Sequence, residues 1–165
     1  ECVRSSLEML QPVEAAGLVT PLMSESLADQ LRYLKADGGT LWLLCPGGAT
    51  LEAVFNPMEP EMAGRRQPLV SGIISLVLAT GEPACLSGVA DHQRHSPAID
   101  IALGKVTQGM IAVPFLLAGA VKGVLTAVRL TSGEPFDAAE KESLGRHSEI
   151  LAELMTHRLT EKILG

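Results

Sequence analysis

Between Gly109 and Leu130 the chain reads GMIAVPFLLAGAVKGVLTAVRL, apolar almost throughout and broken only at Ala118-Gly119-Ala120. That pattern predicts two buried strands joined by a tight turn. Pro114 lacks an amide hydrogen, so it must fall at an edge or a bulge. Gly123 removes a side chain midway along the second strand, which predicts a bulge or a close backbone approach. Gly133-Glu134-Pro135-Phe136-Asp137 then turns into a long amphipathic helix. Asp137 caps it and Glu140 completes a capping-box variant. Leu144, Leu151, Met155 and Leu159 mark one face, which Ile150, Leu154 and Ile163 widen.

Upstream the periods change repeatedly. Cys2–Leu10 is helix-like, Pro12 disturbs it and Gly17 weakens any continuation. Leu27, Leu31 and Leu34 mark a second helix, with Ser24 or Ser26 as its cap and a stop near Asp37-Gly38. Thr40–Cys45 and Thr50–Phe55 read as a hairpin around Pro46-Gly47-Gly48. Asn56–Pro68, with its prolines and charges, reads as a loop. Ser71–Ala79 reads as a short buried helix capped by Ser71 and ended by Thr80-Gly81-Glu82-Pro83. Ala84–Leu86 is a short strand, Ser87–Ser96 is irregular, and Pro97–Leu103 is a short helix with Ser96 as cap. The order predicts an α+β fold: an antiparallel sheet of five to six strands, terminal helices on one face, and loops and short helices roofing a pocket on the other.

Composition narrows the function classes. The chain is 47% hydrophobic but 3% aromatic, so the core is aliphatic and a base-stacking platform is disfavoured. The net charge of −6 argues against a phosphate-tracking surface, and Arg65-Arg66 reads as a solvated loop pair. No apolar run is long enough to span a bilayer, and no signal-peptide core follows Arg4 and Glu8. Cys2, Cys45 and Cys85 are odd in number and widely spaced, which fits reduced thiols in the cytoplasm.

Four groups of residues, in this order, resemble the GAF domain family over roughly Leu27–Leu154. They are Ala36-Asp37-Gly38-Gly39-Thr40-Leu41-Trp42, then Gly72-Ile73-Ile74 with Ala79-Thr80-Gly81-Glu82-Pro83, then Ala112-Val113-Pro114-Phe115 with Val121-Lys122-Gly123-Val124-Leu125, and last Pro135-Phe136-Asp137-Ala138-Ala139-Glu140. The resemblance implies one GAF-like domain over residues 1–165, with its core at about 27–154, excised from a longer signalling protein. It implies a sensory or regulatory module that binds a small molecule, pairs as a homodimer through terminal helices, and passes its signal to an output domain. No nucleic-acid or membrane partner is implied, and the cofactor is left open. A ligand-free dimerisation module is the alternative.

Carried over from the family, the pocket positions are Thr40 on the first strand, Phe55 and Asn56 at the end of the second, and Ile73 and Ile74 on the buried helix. Asp100, Leu103 and Thr107 lie on and after the roof helix, and Thr126 on the last strand. This mixture of apolar floor and few polar groups suits a small ligand. Family members that bind cyclic nucleotides carry an Asn-Lys pair where this chain has Arg129-Leu130, which disfavours cyclic GMP. Arg129 reads as a surface ion-pair residue, with contact to a ligand anion as the alternative reading. Asp91-His92-Gln93-Arg94-His95 has metal-ligand spacing but reads better as a solvated loop, and His147 and His157 as helix polar residues. Relatives that reduce free methionine sulfoxide gather cysteines over the pocket, and relatives that carry bilins attach them through a roof cysteine. Ser87–Gln108 contains no Cys, so both chemistries are disfavoured, and the reductase is the weakest of the functional readings. No phosphate loop, His-Glu-x-x-His or Gly-x-Ser-x-Gly motif is present, and the chain reads as a non-enzyme.

Overall fold

A computed structural model describes residues 5, 8–69, 72–87, 109–130 and 135–165. The predicted helix Pro97–Leu103 and the Asp91–His95 cluster lie outside them, as does most of Cys2–Leu10. The described elements are α1 (Pro12–Ala16), α2 (Pro21–Tyr33), β1 (Gly38–Leu44), β2 (Thr50–Phe55), β3 (Arg66–Pro68), α3 (Ile73–Thr80), β4 (Ala84–Ser87), β5 (Gly109–Leu117), β6 (Ala120–Arg129) and α4 (Ala138–Leu164). The strands form one six-stranded sheet in the order β3-β2-β1-β6-β5-β4, and every neighbouring pair is antiparallel. The α+β expectation is met, and the sheet has a strand, β3, that the sequence reading placed in a loop. Its three residues pair with Thr50, Leu51 and Glu52, and Arg66 binds Glu52 at 2.7 Å instead of lying in a solvated loop.

Helix boundaries shifted for local reasons. Pro12 starts α1 as its first residue and does not disturb a helix, because proline has no amide to waste at that position. Thr20 caps α2, accepting a bond from Met23 N at 3.2 Å, with Pro21 next. The caps expected at Ser24 or Ser26 therefore fall inside the helix. The helix ends at Tyr33, ahead of the predicted Asp37-Gly38, because Lys35 turns the chain with φ of 52°. Gly72, and not Ser71, is the N-cap residue of α3. Asp137 and Glu140 form the expected reciprocal capping box on α4.

The two faces of the sheet carry separate aliphatic cores. Leu41, Leu43, Val113, Phe115, Leu125 and Ala127 point to the terminal helices, where Leu27, Leu31, Leu144, Leu151, Met155 and Leu159 meet them. Trp42, Leu51, Ala53, Ala112 and Val124 point to the opposite face, where Ile73, Ile74 and Val77 of α3 cover them together with Met62. Alternation along each strand sorts the residues between the faces. Ile150 and Leu154, expected to widen the apolar face of α4, are 54% and 45% exposed.

The β5–β6 hairpin behaves as its sequence requires. Ala118 and Gly119 both have positive φ, 51° and 80°, the geometry of a two-residue hairpin turn. Pro114 pairs with Val124 beyond the last β4 pair, Ala84 with Ala112, so no neighbouring strand needs its missing hydrogen. Its carbonyl accepts a bond from Ser148 of α4 at 2.9 Å. Gly123 is a close approach: a Cβ there would overlap the Trp42 carbonyl.

Candidate functional site

On the face away from the terminal helices, the aliphatic lining is interrupted at one end by three hydroxyl and amide side chains. Thr40 and Thr126 are direct partners across β1 and β6, and Asn56 follows the last residue of β2. Asn56 Nδ2 donates to Thr40 Oγ1 at 3.0 Å. Thr126 Oγ1 donates to the Thr40 carbonyl and accepts from the Thr40 amide, each at 3.3 Å. Asn56 Oδ1 accepts from the amides of Met58 and Glu59 at 3.0 and 2.9 Å, an Asx turn that fixes the side chain. All three side chains are buried. Donor arithmetic leaves two hydrogens outside these bonds, one on the Asn56 amide and one on the Thr40 hydroxyl.

Of the nine positions expected at the site, the structure brings Thr40, Asn56 and Thr126 into this bonded group. It sets Ile73 and Ile74 in the aliphatic cluster on the same face. Phe55 goes elsewhere. It pairs with Leu41 while Ala53 pairs with Trp42, so one extra residue bulges from β2. The bulge turns Phe55 toward the terminal-helix core, against which it packs. Asp100, Leu103 and Thr107 lie outside the described residues. Gln67, which sequence reasoning missed, is buried on β3 opposite Leu51, and its Nε2 has no hydrogen-bond partner among the described residues. Nothing in a three-residue strand carrying a proline could have announced it.

Arg129 overturns the expectation of a surface ion pair. It is 9% exposed and points to the terminal helices. Its Nη2 donates to the Leu34 carbonyl at 2.6 Å and to Glu140 Oε2 at 2.8 Å, and its guanidinium lies 3.9 Å from the Phe136 ring centroid. Burial in this place withdraws it from a ligand on the opposite face.

The remaining candidate chemistry is quiet. Burial pushes the Cys45 and Cys85 thiols above their ordinary range, opposite to what an activated nucleophile needs. The Cys85 thiol donates to the Phe136 carbonyl at 3.1 Å. His147 is half-buried, its Nε2 has no hydrogen-bond partner among the described residues, and burial lowers its pKa, whereas His157 is exposed beside Glu161. Among the described residues no three His, Cys, Asp or Glu side chains gather to hold a metal ion. No described helix is long and apolar enough to cross a membrane.

A family model described as the GAF domain matches residues 20–154. The chain belongs to the GAF domain family. GAF domains commonly serve as sensory or regulatory modules in signalling proteins. Among solved structures, the chain resembles the GAF domain of a phosphoenolpyruvate-protein phosphotransferase from Coxiella burnetii, with a TM-score of 0.71 and 18% identity over 98% of this chain and 94% of that one. It also resembles the second GAF domain of DevS from Mycobacterium smegmatis, with a TM-score of 0.70 and 15% identity over 94% of this chain and 100% of that one. A free methionine-R-sulfoxide reductase from Neisseria meningitidis, in complex with its substrate, aligns with a TM-score of 0.62 and 18% identity over 86% and 88% of the two chains. At these identities the likeness concerns the fold of this GAF domain. No curated protein matches its sequence.

Proposed function

We propose that this GAF domain is a non-catalytic, cytoplasmic sensory module. It binds a small molecule on the sheet face that carries Thr40, Asn56 and Thr126, and it acts on an output domain through its terminal helices. The observation that carries this reading is the pair of hydrogens on Asn56 and Thr40 that no bond among the described residues uses, set in an aliphatic face. Such a place favours a ligand with a compact acceptor, a carbonyl or carboxylate oxygen, and an aliphatic body. Aromatic walls are scarce, so stacking contributes little.

Native mass spectrometry of the purified domain, with an absorption spectrum of the same sample, tests it. The expected result is a small molecule that co-purifies with the native protein and is lost from Asn56→Leu and Thr126→Trp variants that remain folded. A bare protein mass in all three samples, with no chromophore, would overturn it in favour of the second reading.

That second reading is a ligand-free dimerisation module, supported by Ile150 and Leu154. They stand exposed on one stripe of α4 at helical spacing. On either reading the chain pairs as a homodimer through α2 and α4. Sedimentation is expected to show a dimer that Ile150→Glu with Leu154→Glu converts to a monomer. A native monomer at high protein concentration would refute the pairing. The reductase reading fares worst. The described thiols are apart in the fold, Cys45 just after β1 and Cys85 on β4, and burial raises the pKa of both.

A further inference from the structure

Both terminal helices are tied to the sheet at one residue. Leu34, whose carbonyl accepts from Arg129, is the C-cap of α2. Glu140, which accepts from the same Nη2, is the third residue of α4 and half of its capping box. Its other oxygen accepts from the Asp137 amide at 3.0 Å. Phe136, under the guanidinium, is the residue before the α4 cap. Asp37 closes the same corner: its amide donates to the Val128 carbonyl and its carboxylate accepts from the Leu130 amide, both at 2.8 Å. Only a planar, many-donor cation can satisfy a carbonyl and a carboxylate while stacking on a ring.

The strands that meet at this corner are the strands that carry the polar group of the opposite face. Thr126 precedes Arg129 on β6, and Thr40 follows Leu34 and Asp37 into β1. The Thr40–Thr126 pair lies two rungs from Gly38–Val128, the last pair before the corner. The pairs Gly39–Ala127 and Gly38–Val128 and the bond from the Asp37 amide to the Val128 carbonyl connect the threonines to this corner without a break in the ladder.

We propose that Arg129 is a coupling clasp, a positioning residue that makes the end of α2 and the first turn of α4 loosen together when the Thr40–Thr126 pairing is disturbed. The signalling role of the clasp rests on reading that face as sensory; the clasp itself needs no ligand.

Hydrogen exchange read by mass spectrometry on the whole domain tests it. The variants are Arg129→Met, Arg129→Lys, Glu140→Gln, Thr126→Val and the double variant Thr126→Val with Arg129→Met. Arg129→Met is expected to speed exchange about ten-fold at residues 33–37 and 138–144 alike, leaving α4 beyond Leu151 unchanged. Glu140→Gln is expected to affect the α4 end alone. Thr126→Val is expected to speed both ends in the native background and to add nothing once Arg129 is Met. Faster exchange at one helix end only, or an undiminished Thr126→Val effect in the Arg129→Met background, would overturn the clasp. If Arg129→Met does not fold, Arg129→Lys supplies the same comparison, because it keeps the charge and loses the stacking and the fork. Absence of a co-purifying molecule would remove the sensory reading without touching these exchange results, and a failed exchange pattern would leave ligand binding standing.

Discussion

Asn56→Ala removes the centre of the buried polar group, and the structure sets how much should be lost. Three hydrogen bonds disappear: one to Thr40 Oγ1 and two from the Met58 and Glu59 amides. Each neutral bond contributes about 0.5–1.5 kcal/mol net, so the sum is about 3 kcal/mol. The two amides are only part-buried and can turn to water, which keeps the loss from rising further. Thr40→Val removes one of the three bonds but strands the Asn56 amide, for a loss of about 1–3 kcal/mol. The double variant should then cost little more than Asn56→Ala alone, a coupling of about 1–3 kcal/mol. The assay is urea unfolding followed by the emission of Trp42, the single tryptophan, which is 3% exposed and lies two residues from Thr40 on the same strand. In a thermal melt the Asn56→Ala loss corresponds to about 6–12 °C. Strict additivity of the two substitutions, or an Asn56→Ala loss under about 1 kcal/mol, would refute the claim that this group is bonded as described.

Other positions give independent checks. Gly123→Ala places a methyl group against the Trp42 carbonyl and should cost about 2–3 kcal/mol; a melt within a degree or two of the native one would contradict the close approach. Leu151→Ala, at a site 1% exposed, should cost about 2–5 kcal/mol, whereas Ile150→Ala should stay within about 0.5 kcal/mol in the monomer. His147 has a lowered folded pKa, so the unfolded chain binds more protons below its ordinary value of 6.5. Stability should therefore fall as pH drops through and below that value, and His147→Gln should flatten the fall; an unchanged pH profile would show that the histidine is not desolvated.

The elements that could be read from the sequence are those fixed by local chemistry. The β5–β6 hairpin follows from a nearly unbroken apolar run and a turn pair, and the start of α4 from Asp137 and Glu140. Thr40, Asn56 and Thr126 were reached through family resemblance, and the register of β1 with β6 is what joins two of them. Features that depend on pairing were not legible. The β2 bulge that turns Phe55 away depends on how β2 meets β1, and β3 exists only because Thr50–Glu52 offers it an edge. The sequence suggests a surface cation at Arg129 because the partners that bury it lie on separate elements, among them Leu34 after α2, Phe136 before α4 and Glu140 within it. The rule that predicts a helix start at Pro97 applies equally to Gln11-Pro12 and Thr20-Pro21, where α1 and α2 begin.

The outermost strands of the sheet, β3 and β4, are three and four residues long, against nine and ten for β5 and β6. A row of free backbone groups invites another chain to add itself, and the invitation grows with the length of the row. Here each border offers only a brief template. The β3 border ends in Pro68, which has no hydrogen to give, and Arg66 and Glu52 place charges beside it. The long, apolar strands most capable of seeding a fibril are enclosed at the centre. Such a sheet can stand close to copies of itself without stitching edge to edge.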